Sequence, residues 1–407
     1  MNELSLVSNS YNLLNLCGSI LQILPYILRL SEFIENKDFS GYDPYDALNS
    51  PFVRFLTCGQ KYGRIAWTQF MRRFPFNLRP LLLVPKGHNP KALGLFLAGY
   101  ARLYALSKRT ETLEIVKRLL SLLEKTASQG YSGVCWGYNF DWQSRAFFVP
   151  KYTPTIVNSS FVGHALLDAW ELVGLQQALG QAISIKDFLL HDLHRTVDGD
   201  SFCFSYTPVD KTAVHNANLL GSSLLIRLYK LCGETELKDA ALASLAYSMK
   251  YQHEDGSWYY AETAMQSWID SFHTGFNLEA IRYFLRQGEA LEYQTAYELG
   301  RSFYAENFFL EDGTPKYYHD RVYPIDIHAP AQAIAFFSGE GEVYRELTEK
   351  VLSWMIDNLW CPKGYFYFRK GPYFTNRIPY MRWGQAWAFR ALTNYLFETE
   401  AKCGGTE

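Results

Sequence analysis

One pattern recurs six times along these 407 residues and leaves the chain few architectures. Each occurrence is an Asn, Asp or Trp at a helix start, followed by an apolar stripe of helical period. The six begin at Asn89, Asn158, Asn216, Asp270, Asp326 and Trp383, spaced 54 to 69 residues apart. Five positions after each start stands a small residue: Gly94, Gly163, Gly221, Gly275, Ala331 and Ala388. A small side chain at one fixed place in every unit lets neighbouring helices approach closely there.

Longer, more charged helical patterns lie between these starts, at approximately 52–71, 111–127, 177–193, 235–252, 290–308 and 341–359. Their polar faces suit an outer ring, and the less charged starts suit an inner one. Each unit therefore reads as outer helix, long aromatic loop, inner helix, short loop. Six such hairpins close into an all-α (α/α)6 barrel, because closure leaves no apolar face uncovered. This predicts one barrel domain over 41–399, although length alone would allow two or three domains. Residues 1–40 read as an accessory helical segment and 400–407 as a disordered tail. Short β-hairpins are expected within the long loops, as at Ser201–Tyr206 and Gly364–Arg369.

The net charge of -2 and pI near 6.5 imply no large basic surface for nucleic acid or an anionic membrane. No uninterrupted run of about 20 apolar residues exists, so no spanning helix is expected. Residues 13–30 are apolar but interrupted by Asn15, Gln22 and Pro25, which suits an amphipathic helix. The N-terminus carries Glu3 and no Lys or Arg before Arg29, unlike a signal peptide. The seven cysteines are odd in number and form no C-x-x-C pair, which suits reduced thiols in a cytoplasmic protein.

The repeat also locates the chemistry. All six inner helices follow the long loops, so their N-termini point to one end of the barrel and form a funnel. Free N–H groups there favour oxygen-rich or anionic ligands. The funnel receives His88, Asn89 and Lys91, together with Asn158, His215, Asn216, Asp270, His273, Asp326, His328, Arg382 and Trp383. The loops add Trp136, Asp141, Trp142, Arg145, Trp258, Trp268 and Tyr317. Aromatic faces beside carboxylate, imidazole, amide and guanidinium groups are what a saccharide needs. Pyranose C–H faces lie on rings, and the hydroxyls need dense hydrogen bonding.

Asp270, His273, Asp326 and His328, with His215 next, are the acid/base candidates. Arg145 and Arg382 would position an anionic group. Trp136, Trp142, Trp258 and Trp383 would stack on sugar rings, and the remaining funnel residues would line the substrate. Capping explains the Asn and Asp residues equally well, and a lone histidine is often structural. No H-E-x-x-H, Gly-x-Ser-x-Gly or phosphate-loop pattern occurs, so neither a catalytic metal nor a cofactor is expected.

Several strings carry a resemblance: CWGYNFDWQSR (135–145), VHNANLLG (214–221), DGSWYY (255–260), WIDSFHTGFNLEAI (268–281), PKYYH with YPIDIHAPAQAI (315–334), and IPYMRWGQAW (378–387). They resemble a bacterial family encoded in exopolysaccharide and capsule loci, over roughly 42–397. The resemblance implies a toroidal α/α protein of polysaccharide biosynthesis or modification and carries over no catalytic residue. More distantly, the architecture is similar to N-acylglucosamine 2-epimerases, unsaturated glucuronyl hydrolases and the helical domain of glucuronyl C5-epimerases. Gln252-His-Glu-Asp-Gly-Ser-Trp is similar to the repeats of terpenoid cyclases.

The leading expectation is an enzyme doing epimerisation, elimination or glycosidic hydrolysis on an acidic or acetamido saccharide. Its partners would be a glycan substrate and exopolysaccharide assembly proteins, without nucleic acid. The alternatives are a non-catalytic saccharide-binding or scaffold protein of an exopolysaccharide machine and a terpenoid-cyclase-like enzyme.

Overall fold

The computed structural model describes residues 18–144 and 148–404. Helix α1 (Gly18–Glu35) opens it, and two short helices follow, α2 (Pro51–Thr57) and α3 (Lys61–Arg73). Inner and outer helices then alternate: α4 (Pro90–Ser107) and α5 (Thr110–Lys125), α6 (Ile156–Val173) and α7 (Gln176–Asp187), α8 (His215–Cys232) and α9 (Thr235–Met249). The series continues with α10 (Ser271–Arg286) and α11 (Gln294–Asn307), then α12 (His328–Phe337) and α13 (Arg345–Leu359). A π-helical turn, Met381–Ala386, leads into the last inner helix, α14 (Trp387–Gly404).

The inner ring is buried on every side. Residues 156–169 of α6, 215–228 of α8 and all of α12 are inaccessible. A helix with no solvent face needs no charged stripe, which is why these segments read as less charged than the outer helices. The small residues mark where inner helices meet. A Cβ on Gly163 would stand 2.5 Å from Leu224 of α8, and one on Gly221 would stand 2.5 Å from Ile156 of α6.

The short strands pair antiparallel within the long loops. β1 (Trp142–Gln143) pairs with β2 (Phe148–Val149), and β3 (Arg195–Asp198) with β4 (Ser201–Phe204). β5 (Ile325–Asp326) joins β8 (Arg369–Lys370) and β9 (Thr375–Asn376), while β6 (Trp360–Cys361) pairs with β7 (Tyr365–Phe366). In this register Asp326 stands opposite Arg369.

The expected outer helix at 52–71 is different. Cys58 and Gly59 both adopt positive φ (44° and 71°) and break it into α2 and α3. The outer position belongs instead to α1, whose Ile23, Ile27, Leu30 and Ile34 enter the common core and which packs on α14. Residues 18–35 thus contribute to the barrel as α1. At the other end α14 continues to Gly404, into the stretch expected to be a disordered tail. Helices α2 and α3 lie over the mouth, where Arg72 of α3 stands 5.0 Å from the Tyr45 ring and the Phe74 carbonyl accepts from Asn376 of β9. Among the described residues no helix is long and apolar enough to cross a membrane.

Candidate functional site

Asp270 caps α10 by accepting the His273 backbone N–H on Oδ1 at 3.1 Å. Its other oxygen accepts the Trp268 indole N–H at 2.9 Å and lies 2.6 Å from His273 Nδ1. Helical geometry brings a cap and the third residue after it together. The carboxylate thus engages the imidazole at Nδ1 and orients the ring, and Nε2 is the nitrogen not in this contact. Tyr260 lies flat on Trp268 at 4.6 Å and touches the His273 ring at 4.7 Å.

His328 begins α12. Its ring stacks on Phe272 at 4.3 Å and lies 4.1 Å from Trp387 and 4.9 Å from Trp383. Both ring nitrogens are buried without a hydrogen-bond partner among the described residues. Burial, then the nearby charge of Lys91, pushes its pKa well below the ordinary value and keeps the ring neutral. Asp326 fixes this corner. Its carboxylate accepts from Arg369 at 2.8 Å, the Trp383 indole at 2.6 Å and the His328 backbone N–H at 3.1 Å. With every contact that of a charge-assisted acceptor, Asp326 is an organising group.

Lys91 follows the Asn89 cap and Pro90 into the first turn of α4. It is buried, and no described carboxylate lies within ion-pair distance. Its ammonium sits 4.1 Å from the Phe161 ring centre, 5.1 Å from Trp387 and 5.3 Å from Phe276. Burial, then Arg382 and Arg390, drives its pKa well down. Asn158, one turn above Phe161, has both amide atoms buried and unpartnered among the described residues, and Asn216 Oδ1 and Asn277 Oδ1 are likewise unpartnered. Asn216 and Asn277 share a crevice with Trp268, Asp270, His273 and Thr274. Native proteins rarely leave so many buried polar atoms unsatisfied in one place unless a ligand meets them.

Other expected site residues have different surroundings. His215 bonds Ser248 and Glu262 through its two ring nitrogens and packs on Tyr247 and Tyr251 of the outer layer. Trp136 and Trp258 are buried between helices, with indoles donating to the carbonyls of Leu123 and Ser248. Arg382 is clamped bidentately by Asp43 at 2.5 and 2.8 Å, so its fork is engaged within the fold. Trp142 stands by Tyr138 and Tyr206 at the rim, and Asp141 accepts the Lys151 backbone N–H. Tyr317 meets Phe272 edge-on inside the funnel. Arg145 lies outside the described residues. Arg72 of α3, which the sequence pattern did not single out, stands beside Tyr45, Tyr317 and Asp326. Burial works against its charge, but Tyr45, Tyr317 and Asp326 hold its pKa above the ordinary value, and its Nε has no partner among the described residues.

One to three turns deeper, past the Phe161–Phe276–Trp387 aromatic layer, lies a second polar chamber. Its charges are satisfied internally. Asp168 joins Arg102 and Arg227, His164 meets Ser223, and Glu279 pairs with Arg390 and accepts from Gln332. Among the described residues, the unpaired amide and imidazole atoms of Asn158, Asn216, Asn277 and His328 lie in the funnel. Among the described residues no three His, Cys, Asp or Glu side chains converge as a metal site.

No family's sequence model matches the chain, and no curated protein matches it. Solved structures do. The cellobiose 2-epimerase of Bacillus thermoamylovorans superposes with a TM-score of 0.59 at 12% identity, covering 76% of this chain and 88% of that one. The GH76 α-mannanase of Bacteroides thetaiotaomicron gives 0.60 at 12% identity, with 77% and 88% covered. A polysaccharide lyase gives 0.58 at 10% identity, with 96% and 99% covered. The fold is the six-hairpin α/α toroid. At these identities the likeness is one of architecture, so activity has to be argued from the site.

Proposed function

We propose that this chain is a carbohydrate-active enzyme that abstracts a proton from a sugar carbon next to a carbonyl or carboxylate, leading to epimerisation or elimination. The observation that carries this reading is the state of the funnel's acids and bases. Glycosidic hydrolysis uses two carboxyl groups facing the scissile bond. Here Asp270 is engaged with His273 and Trp268, Asp326 with Arg369 and Trp383, and Asp43 with Arg382. At the inner-helix starts, among the described residues, the groups left to act are nitrogen bases, His273, His328 and Lys91, and the rim carboxylate Asp141 accepts the Lys151 backbone N–H.

In this reading His273 Nε2 takes the proton, and Asp270 stabilises the imidazolium that forms. Negative charge collects on the substrate oxygen, where Lys91 and neutral His328 are the nearest donors. Trp268, Tyr260 and Trp383 offer faces to the sugar ring, and Arg72 is the cation available to a carboxylate. The structural neighbours include an epimerase and a polysaccharide lyase alongside glycoside hydrolases, so the choice among these chemistries rests on the site. The strings that resemble an exopolysaccharide-locus family point to bacterial polysaccharide biosynthesis or modification, and the scattered, unpaired cysteines suit the cytoplasm.

Incubation with reducing disaccharides and uronate-containing oligosaccharides in heavy water tests this. Deuterium entering one ring carbon, with an epimer or an unsaturated sugar as product, is the expected result. New reducing ends without deuterium in the ring would assign hydrolysis instead. Binding without either change would assign the scaffold role.

A further inference from the structure

Among the described residues, nothing covers the outward face of the two helices over the barrel mouth. Residues 51–86 contain seven Lys and Arg and no Asp or Glu. The whole chain has 39 cationic and 41 anionic residues, so the other 371 residues carry 32 against 41, a net of -9. The overall charge of -2 therefore hides a basic segment, contrary to the expectation drawn from composition.

The same segment exposes large apolar side chains. On α2, Phe52, Phe55 and Leu56 occupy one face and are 51%, 80% and 59% exposed, while Val53 and Thr57 point inward. On α3, Tyr62, Ala66 and Phe70 form one outward stripe, with Thr68 and Met71 on the buried side. The patch is continuous. Phe70 packs on Phe74 and Phe74 on Phe76, while Ser50 at the start of α2 bonds the Leu82 carbonyl between exposed Leu81 and Leu83. Among the described residues, Lys61, Arg73 and Lys86 have no carboxylate within ion-pair distance, Arg54 meets Asp141 only at 4.0 Å, and Arg79 is paired with Asp46.

We infer that this face docks on an anionic lipid bilayer, with α2 and α3 lying in the headgroup plane. Two short helices showing an aromatic and aliphatic stripe flanked by unneutralised cations are what such an interface binds. A second copy is the weaker occupant, because a twofold contact would set cation against cation. Docked this way, the barrel mouth faces the membrane, so a saccharide carried on a lipid would reach it directly. The inference rests on the surface alone and stands or falls apart from the proton-transfer reading.

Co-sedimentation of the full chain tests it, with vesicles of phosphatidylcholine alone and of phosphatidylcholine and phosphatidylglycerol in equal parts. Binding to the mixed vesicles only, weakened by added salt, is expected. Lys61→Gln with Arg73→Gln should lower that binding about 25-fold, at roughly fivefold per cation. Phe55→Ser with Leu56→Ser should lower it about tenfold or more. Val343→Ser, at an 80% exposed site after α12, should leave it unchanged. Circular dichroism confirms that each variant is folded. No binding to mixed vesicles, equal binding to both kinds, or wild-type binding by both double variants would overturn the inference. So would a dimer in solution that either double variant dissociates.

Discussion

Lys91 is a buried amine with no carboxylate partner among the described residues, and a fold gains nothing from charging such a group. Lys91→Met keeps most of the stem that packs on Phe161 and removes the charge, so it should stabilise the protein while abolishing turnover. The magnitude follows from proton linkage. The ordinary lysine pKa is 10.5 and the folded-state value lies well below it, chiefly through burial. Between those two values the unfolded chain binds one more proton than the folded chain. Stability then rises with pH, by about 1.4 kcal/mol per unit from this group. Below the folded value both states are charged and the penalty is constant; above the unfolded value it is gone. Cation–π contacts with Phe161, Trp387 and Phe276 return only about 2 kcal/mol. Urea unfolding followed by circular dichroism, on wild type and variant over the pH range just below the ordinary lysine value, isolates the effect because other groups cancel in the difference. The wild type should gain on the variant by about 1.4 kcal/mol for each pH unit. A flat difference, or a variant less stable than wild type at neutral pH, would refute the reasoning and show that Lys91 has a charge partner.

Asp270→Asn separates capping from chemistry. Asn is as good a cap as Asp, so stability should hold within about 0.5 kcal/mol while deuterium exchange falls 10²- to 10⁴-fold, on the order of a lost acid/base partner. Equal loss of both would make Asp270 structural only. Asp326→Asn should cost about 3 kcal/mol in urea unfolding, because Arg369 loses its carboxylate in a nearly closed site; a cost below about 1 kcal/mol would deny it the organising role. His164, buried beside Arg227, has its pKa lowered to about 3 from 6.5, first by burial. The folded state then binds fewer protons than the unfolded state in that window. The contribution of His164 is present above 6.5 and lost as pH falls toward 3. His164→Gln should flatten this acid limb by about 1.4 kcal/mol per pH unit, read from acid unfolding curves.

The barrel was legible because close helix approach leaves a mark at a fixed offset: Gly163 and Gly221 sit where a Cβ would strike the neighbouring inner helix. Asp270 and His273 were legible for a similar local reason, since a cap and its third residue meet in any helix. Neighbouring positions were harder to separate. His215 and Asn216 are adjacent, but about 100° of helical turn separates them, and one bonds into the outer layer while the other reaches the funnel crevice. Arg382 read as a free anion binder because its partner, Asp43, lies 339 residues away and no local pattern reports such a pairing. The 52–71 helix failed at two backbone dihedrals, and only Gly59 hinted at them. Lys91 was visible at the funnel rim, but its lack of a partner depends on every surrounding element at once.

The Asp43–Arg382 clamp also has a consequence for how the chain reaches its native state. An open array of hairpins can grow from any point and fray from either end. This ring has a seam, where α1 meets α14 and where Asp43 and Arg79 reach Arg382 and Tyr380. During synthesis the early hairpins can stack as they emerge, but the seam has to wait until the last inner helix is made. Closing it joins segments more than 300 residues apart, a large loop-closure cost met in one late step. Until then the buried faces of α1 and α4 lack their α14 neighbour, so a chain truncated before Met381 should be caught by chaperones as an open, sticky arc.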